Sequence, residues 1–203
     1  MLTVAILGEC SGVIRAAFAA MGHNAVSCDL KESRIPGQHI VGDYTKRSWR
    51  GTDLLIWHPD CTYLAVSGLH WNRRRPERQA LTDESVTFVI ETHAAFLQQV
   101  PALAMENPIG CLSTRWRRPT QIVHPWQYGD DASKATCLWL DGLPPLVPTN
   151  ILPGGRLARR SNQTASGQNK LGPSPMRKEL RSNTYPGIAA AMASQWGSVL
   201  SAA

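Results

Sequence analysis

No apolar run in this 203-residue chain approaches the roughly 20 residues that a helix needs to cross a membrane. Cys-x-x-Cys pairs are absent. The five cysteines stand far apart, at positions 10, 28, 61, 111 and 137. That spacing supports neither a zinc knuckle nor a disulfide framework, and no metal is expected. It fits a reducing cytoplasm, where each cysteine is either core filler or a nucleophile. The Gly-x-Gly-x-x-Gly fingerprint is missing, which counts against a standard dinucleotide site. Leu2–Leu7 has neither a basic lead nor a small-residue cleavage site, so it is read as a first strand and not as a leader. No internal repeat is present.

What remains is a chain with 43% hydrophobic and 18% charged residues, the balance of a globular domain. Its 21 basic residues against 15 acidic ones leave a net charge of +6, which favours a polyanionic partner. Strand and helix signals alternate. Thr3–Leu7, Ala25–Cys28, Asp53–Trp57, Ala102–Met105 and Cys137–Leu140 read as strands, and a third strand should end near Asp43. Val13–Met21 reads as a helix closed by Gly22. Val86, Val89, Ile90, His93, Phe96, Leu97 and Val100 lie on one face of a longer helix, with Thr82 as its N-cap and Pro101 as its stop. A final amphipathic helix covers Ile188–Leu200. This alternation predicts a mostly parallel sheet with helices on both faces. The stretch 143–182 is rich in Pro, Gly, Ser and Asn. It is also basic, with Arg156, Arg159, Arg160, Lys170, Arg177, Lys178 and Arg181.

Ligands of open parallel sheets bind beyond the carboxyl ends of the strands. At those ends stand Gly8-Glu9-Cys10-Ser11-Gly12, then Asp29-Leu30, Asp43, His58-Pro59-Asp60-Cys61 and Glu106-Asn107-Pro108. A tight glycine turn lets backbone N–H groups approach a ligand closely. An acid about twenty residues further on suits a ribose hydroxyl pair. A cysteine at a strand end is a candidate nucleophile, and a neighbouring carboxyl is a candidate proton donor.

In this order the motifs resemble the DNA cytosine carbon-5 methyltransferase family, in a compact form of the kind carried by bacteriophages. The family's Pro-Pro-Cys corresponds to Pro59-Asp60-Cys61, its Glu-Asn-Val to Glu106-Asn107-Pro108, and its Gly-Asn-Ser to Ser182-Asn183-Thr184. The resemblance implies a Rossmann-like, S-adenosylmethionine-dependent methyltransferase fold in a single domain over 1–203, acting as a monomer. The basic loop would stand in place of a target-recognition domain. The setting would be the host cytoplasm for a phage-encoded protein.

It also implies roles. Cys61 would add to cytosine C6, and Glu106 and Asn107 would support the base. Gly8, Cys10, Ser11, Gly12, Asp29, Leu30, Asp43, Pro59, Asn183 and Thr184 would hold S-adenosyl-L-methionine. DNA would be gripped by Arg73, Arg74, Arg75, Arg115, Arg117, Arg159 and Arg160, with short or relaxed sequence specificity.

Four departures from the family pattern stand out. Asp60 replaces a proline beside the thiol, where a like charge would raise the thiol pKa above its usual value of about 8.5. Lys134 and Thr136 replace a pair of arginines, and Arg115 or Arg117 would compensate. Glu9 replaces a small residue and would face the methionine ammonium. Three other readings stay open: a free pyrimidine nucleotide or uracil as substrate, transfer of a modified sulfonium group, and a weakened DNA-binding relative. The neutral Asn183 favours plain methyl over a carboxylate-bearing group.

Overall fold

A computed structural model describes residues 1–172, 174 and 183–202. Alternation along the strands builds two cores. In β1 (Thr3–Leu7), Val4 and Ile6 face one side, while Ala5 and Leu7 face the other. In β4 (Leu54–Trp57), Leu54 and Ile56 oppose Leu55 and Trp57 in the same way. The period-2 pleat sends successive side chains to opposite faces. Because both faces are apolar, both must be covered.

β2 (Asn24–Asp29), β3 (His39–Val41), β5 (Ala102–Pro108), β6 (Gln121–Val123) and β7 (Thr136–Asp141) complete a seven-stranded sheet, ordered β3-β2-β1-β4-β5-β7-β6. The first five strands in that order run parallel, and β7 is antiparallel to both β5 and β6. This is the expected Rossmann-like α/β class.

One face is covered by α1 (Val13–Ala20) and the C-terminal helices α5 (Pro186–Ala191) and α6 (Gly197–Ala202), with a π-helical stretch at Met192–Trp196 between them. The other face is covered by α3 (Pro76–Leu97), through Val86, Val89 and Phe96. Two single-turn helices, α2 (Val66–Leu69) and α4 (Leu112–Arg115), follow β4 and β5.

The long helix differs from its expected outline. It begins at Pro76, a favoured first-turn residue with no N–H to lose, so Thr82 is an interior residue and not its cap. Thr82 is buried and donates to the Tyr63 carbonyl at 3.1 Å. Leu97 is 41% exposed and lies off the packed face. The described part of the stretch after Gly142 is folded back on the body. Asn162 exchanges hydrogen bonds with the Ser133 backbone at 2.9 and 3.1 Å, and Gln163 pairs with Asn169. Arg177, Lys178, Arg181 and Ser182 lie outside the described residues.

Candidate active site

Parallel pairing of β1, β4 and β5 aligns Leu7, Trp57 and Met105 in one row. The next residues therefore emerge side by side at the carboxyl edge: Gly8-Glu9, His58 and Glu106. Gly8 makes this possible. Its φ is +71°, and a Cβ there would stand 2.3 Å from the His58 carbonyl oxygen.

Glu106 is 7% exposed, and its carboxylate is enclosed by donors. His58 Nε2 lies 3.1 Å from Oε2, the Thr184 hydroxyl donates to Oε2 at 3.2 Å, and Lys134 Nζ stands 3.9 Å from Oε1. Burial alone would raise the carboxyl pKa. The His58 hydrogen bond and charge, the Lys134 charge and the Thr184 hydrogen bond outweigh it and pull the value from 4.5 down to about 2. The same bond works on His58. Burial disfavours its charged form, yet Glu106, Glu9 and the Leu7 carbonyl together raise its pKa above the ordinary 6.5. His58 carried no assigned role in the sequence. The available signal was its position, immediately after a strand and before Pro59.

Cys61 is half-buried on the loop between β4 and α2. Three clamps define that loop. Asn107 Nδ2 donates to the Pro59 carbonyl at 3.1 Å, tying the loop to β5. Arg78 of α3 donates to the Thr62 carbonyl at 2.8 Å and to the Gly68 carbonyl at 3.3 Å, with its guanidinium over the Tyr63 ring. Backbone bonds join Leu64 and Val66 to Cys111 and Ile109 beyond β5. Asp60 is explained here. Its Oδ1 accepts from the Thr62 N–H at 2.8 Å and from the Thr62 hydroxyl, an Asx-type turn that fixes the chain across Cys61. Hydrogen bonds thus do the stiffening that a proline ring would do.

Beyond β2, β3 and β4 lies a cleft of about 420 Å³, lined by Leu30, Asp43, Tyr44, Asp60 and Phe88 among others. Leu30 and Phe88 are exposed apolar walls. Asp43 caps the 3-10 turn Tyr44–Lys46, accepting from the Thr45 N–H and hydroxyl, and these two bonds lower its pKa. Asp29 accepts from the Lys31 N–H at 2.9 Å. In the glycine turn, Gly12 has φ +76° and leads directly into α1. Ser11 is buried, whereas Cys10 is half-buried with its carbonyl accepting from the Arg34 N–H.

Other expected residues are placed differently. Glu9 is 5% exposed and turned inward, accepting from the Gly12 N–H at 3.1 Å and from the Ser11 hydroxyl. It closes the turn and faces His58 instead of a ligand ammonium. Thr184 bonds Glu106, and the Asn183 carbonyl accepts from Lys134 at 3.0 Å, so both sit on the Glu106 side of the edge. Thr136 is 3% exposed in the β7 ladder, opposite Pro108 and Val123, where it packs. Arg15 was also unforeseen. It is buried and donates to Ser27, Ser33 and the Ile35, Pro36 and Gln38 carbonyls, pinning the loop after β2.

The arginines divide by environment. Arg73, Arg74 and Arg75 are exposed, and two of them flank Trp71, with guanidinium carbons 5.6 Å from its ring centroid. Arg159 is exposed and lines a cleft of about 190 Å³ with Arg156 and Trp126. Arg160 lines the same cleft but is 5% exposed, donating to the Gly155 carbonyl at 2.6 Å. Arg115 pairs with Asp83 at 2.7 Å. Arg117 pairs with Asp141 at 2.6 Å beside His93. Asp141 pairs with Leu103 at the start of β5, so Arg117 belongs to the opposite end of that strand from Glu106.

Among the described residues, no helix is long and apolar enough to cross a membrane, and no group of three or more His, Cys, Asp or Glu side chains could hold a metal. No protein-family model matches this sequence, and no curated protein matches it. Solved structures similar to it include WbdD, a bifunctional kinase-methyltransferase, at 12% identity and a TM-score of 0.43. That similarity covers 73% of this chain and 37% of WbdD, so this chain spans little more than a third of that protein. An RNA methyltransferase from Salinibacter ruber, solved with S-adenosyl-L-homocysteine, is similar at 15% identity and a TM-score of 0.37, over 73% of this chain and 87% of that one. The strand order described above defines the fold independently of these likenesses.

Proposed function

We propose that this chain methylates carbon 5 of cytosine in DNA, with Cys61 as the nucleophile and S-adenosyl-L-methionine as the methyl donor. The observation that carries the reading is the pairing of β4 with β5. It sets the Cys61 loop beside Glu106, and Asn107 ties the two together through the Pro59 carbonyl. A thiol alone is common filler, and so is a buried carboxylate. A thiol on a loop clamped from three sides, beside a carboxylate surrounded by proton donors, is arranged for addition to an electrophilic ring.

Cytosine C5 is a poor nucleophile until a thiolate adds at C6. The Cys61 sulfur would form that bond while the ring nitrogen N3 takes up charge. Glu106, in hydrogen-bond reach of N3 and the exocyclic amine, would disperse it. The donor's adenosine fits the cleft between Leu30 and Phe88, which offers apolar walls and the Asp43 carboxylate at one end. Asp29 and the Gly8–Gly12 turn would hold its ribose and methionine parts. When bound, this sulfonium supplies the electrophilic methyl group.

Arg74 and Arg75 around the exposed Trp71, with the exposed Arg73 next to them in sequence, suit phosphates and a stacked base, and the exposed Arg159 suits a further phosphate. Incubation with labelled methyl donor and duplex DNA, followed by nucleoside mass spectrometry, tests the reading. The expected product is 5-methyldeoxycytidine, abolished in Cys61→Ala. Absence of label with the wild type would overturn it. Label in dCMP but not in DNA would reassign the substrate to a free nucleotide.

A further inference from the structure

We propose that His58 is a positioning residue that holds one proton against Glu106, so that a buried imidazolium–carboxylate pair supplies the proton taken up by cytosine N3 as Cys61 adds at C6. This rests on the methylation reading above.

The geometry of the ring argues for two N–H groups. Nε2 stands 3.1 Å from Glu106 Oε2, and Nδ1 stands 3.3 Å from the Leu7 carbonyl oxygen. Both neighbours are acceptors. A neutral imidazole has a single N–H, so one ring lone pair would point at an oxygen lone pair. The doubly protonated ring satisfies both.

The surrounding charge argues the same way. Among the described residues, the carboxylates facing His58 are Glu106 from β5 and Glu9 from the turn after β1. Lys134, from the segment before β7, stands on the far oxygen of Glu106 at 3.9 Å. Arg15 of α1 lies behind Glu9 and spends its hydrogen bonds on Ser27, Ser33 and loop carbonyls. The two acids that directly face His58 favour a cation on its ring, although burial pushes the Glu9 carboxyl up and Arg15 offsets part of its charge. The side chains of His58 and Glu106 are 11% and 7% exposed, so water contributes little to screening the pair.

The proton count balances. The sulfur–C6 bond forms as the C5–C6 π bond breaks, and the electron pair is received at N3. The proton on His58 Nε2 passes to the Glu106 carboxylate and from it to N3. His58 is left neutral and Glu106 ionised. After methyl transfer, a water molecule takes the C5 proton, the C5–C6 double bond re-forms with expulsion of the thiolate, and the N3 proton returns along the same path. The arrangement also accounts for how a carboxylate held far below its ordinary pKa can act as an acid: the proton is stored one bond away.

Two measurements test this without methyl transfer. The first is NMR titration of the His58 imidazole, assigned by difference with His58→Asn. The expected result is a protonated ring at pH 7 that becomes neutral at that pH in Glu106→Gln. A neutral wild-type ring at pH 7 overturns the inference and leaves the methylation reading standing. The second is release of tritium from [5-³H]deoxycytidine DNA with no methyl donor, which reports addition at C6 and the proton exchange at C5 that follows it, without methyl transfer. His58→Asn and His58→Gln, folded by urea titration, should slow release about tenfold or more, with KM for DNA nearly unchanged. The alkaline fall of the wild-type rate, where His58 loses its proton, should disappear in both. Equal rates and an unchanged pH profile would overturn the proposal. No release by the wild type would overturn the methylation reading itself, and delivery to N3 with it.

Discussion

Glu106 and His58 make the stability of the fold depend on pH in a way that can be worked out from the two shifts. Glu106 has its pKa depressed from 4.5 to about 2. Its contribution is therefore fully present above the unfolded value and is lost as pH falls from 4.5 toward 2. His58 has its pKa raised above 6.5, so its contribution is present below that value and is lost as pH rises through the folded one. These are two ends of one bond and count once. Glu106→Gln should cost about 1–3 kcal/mol between pH 5 and 6.5. The gap from the wild type should close toward pH 3 and narrow again on the alkaline side. Urea midpoints across that range measure it, and a constant gap would refute the pairing.

At the scale of elements, the Cys61 loop owes its shape to neighbours more than to its own sequence. α3 reaches it through Arg78, β5 through Asn107, and the segment after β5 through a short backbone ladder. Arg78 is the clamp that charge counting would assign to DNA, yet two of its nitrogens are bonded to loop carbonyls. Arg78→Ala should destabilise the protein by about 1–3 kcal/mol. It should also speed amide hydrogen exchange at Leu64 and Ala65, whose N–H groups bond the Cys61 carbonyl. Arg78→Lys should restore little of this, because one ammonium cannot reproduce the planar fork. Exchange rates that do not change would remove Arg78 from the loop's support.

Across the whole molecule, a net charge of +6 favours a polyanion, but charge is useful to a partner only where it is accessible. Neighbouring arginines make the point. Arg160 is buried against Gly155 and lies beneath Trp126, while Arg159 beside it is exposed. Arg159→Ala should leave stability within about 0.5 kcal/mol, weaken DNA binding and lower the salt slope by about 1. Arg160→Ala should do the reverse, destabilising the fold by about 1–3 kcal/mol with the salt slope intact. Fluorescence anisotropy against salt, with urea titration of each variant, separates the two. Equal effects would mean that burial does not govern which arginine meets DNA.

The sequence by itself determined the strands other than β6, the mostly parallel class, and the positions of Gly8, Asp43 and Cys61 beyond strand ends, whereas Glu106 lies inside β5, which runs on to Pro108. Apolar periodicity and the polar residues that interrupt it are local properties, and strand ends follow from them. It did not show that Thr82 lies inside a helix, that β7 reverses direction, or that Glu9 turns inward. Those depend on what each segment packs against. Nor did it show His58. A histidine after a strand has no chemical meaning until another strand brings a carboxylate within 3.1 Å of its ring. His58 and Glu106, 48 positions apart in the chain, are brought together by the pairing of β4 with β5. The direction of each pKa shift depends on that pairing, because a buried charge takes its pKa from the groups that surround it in space.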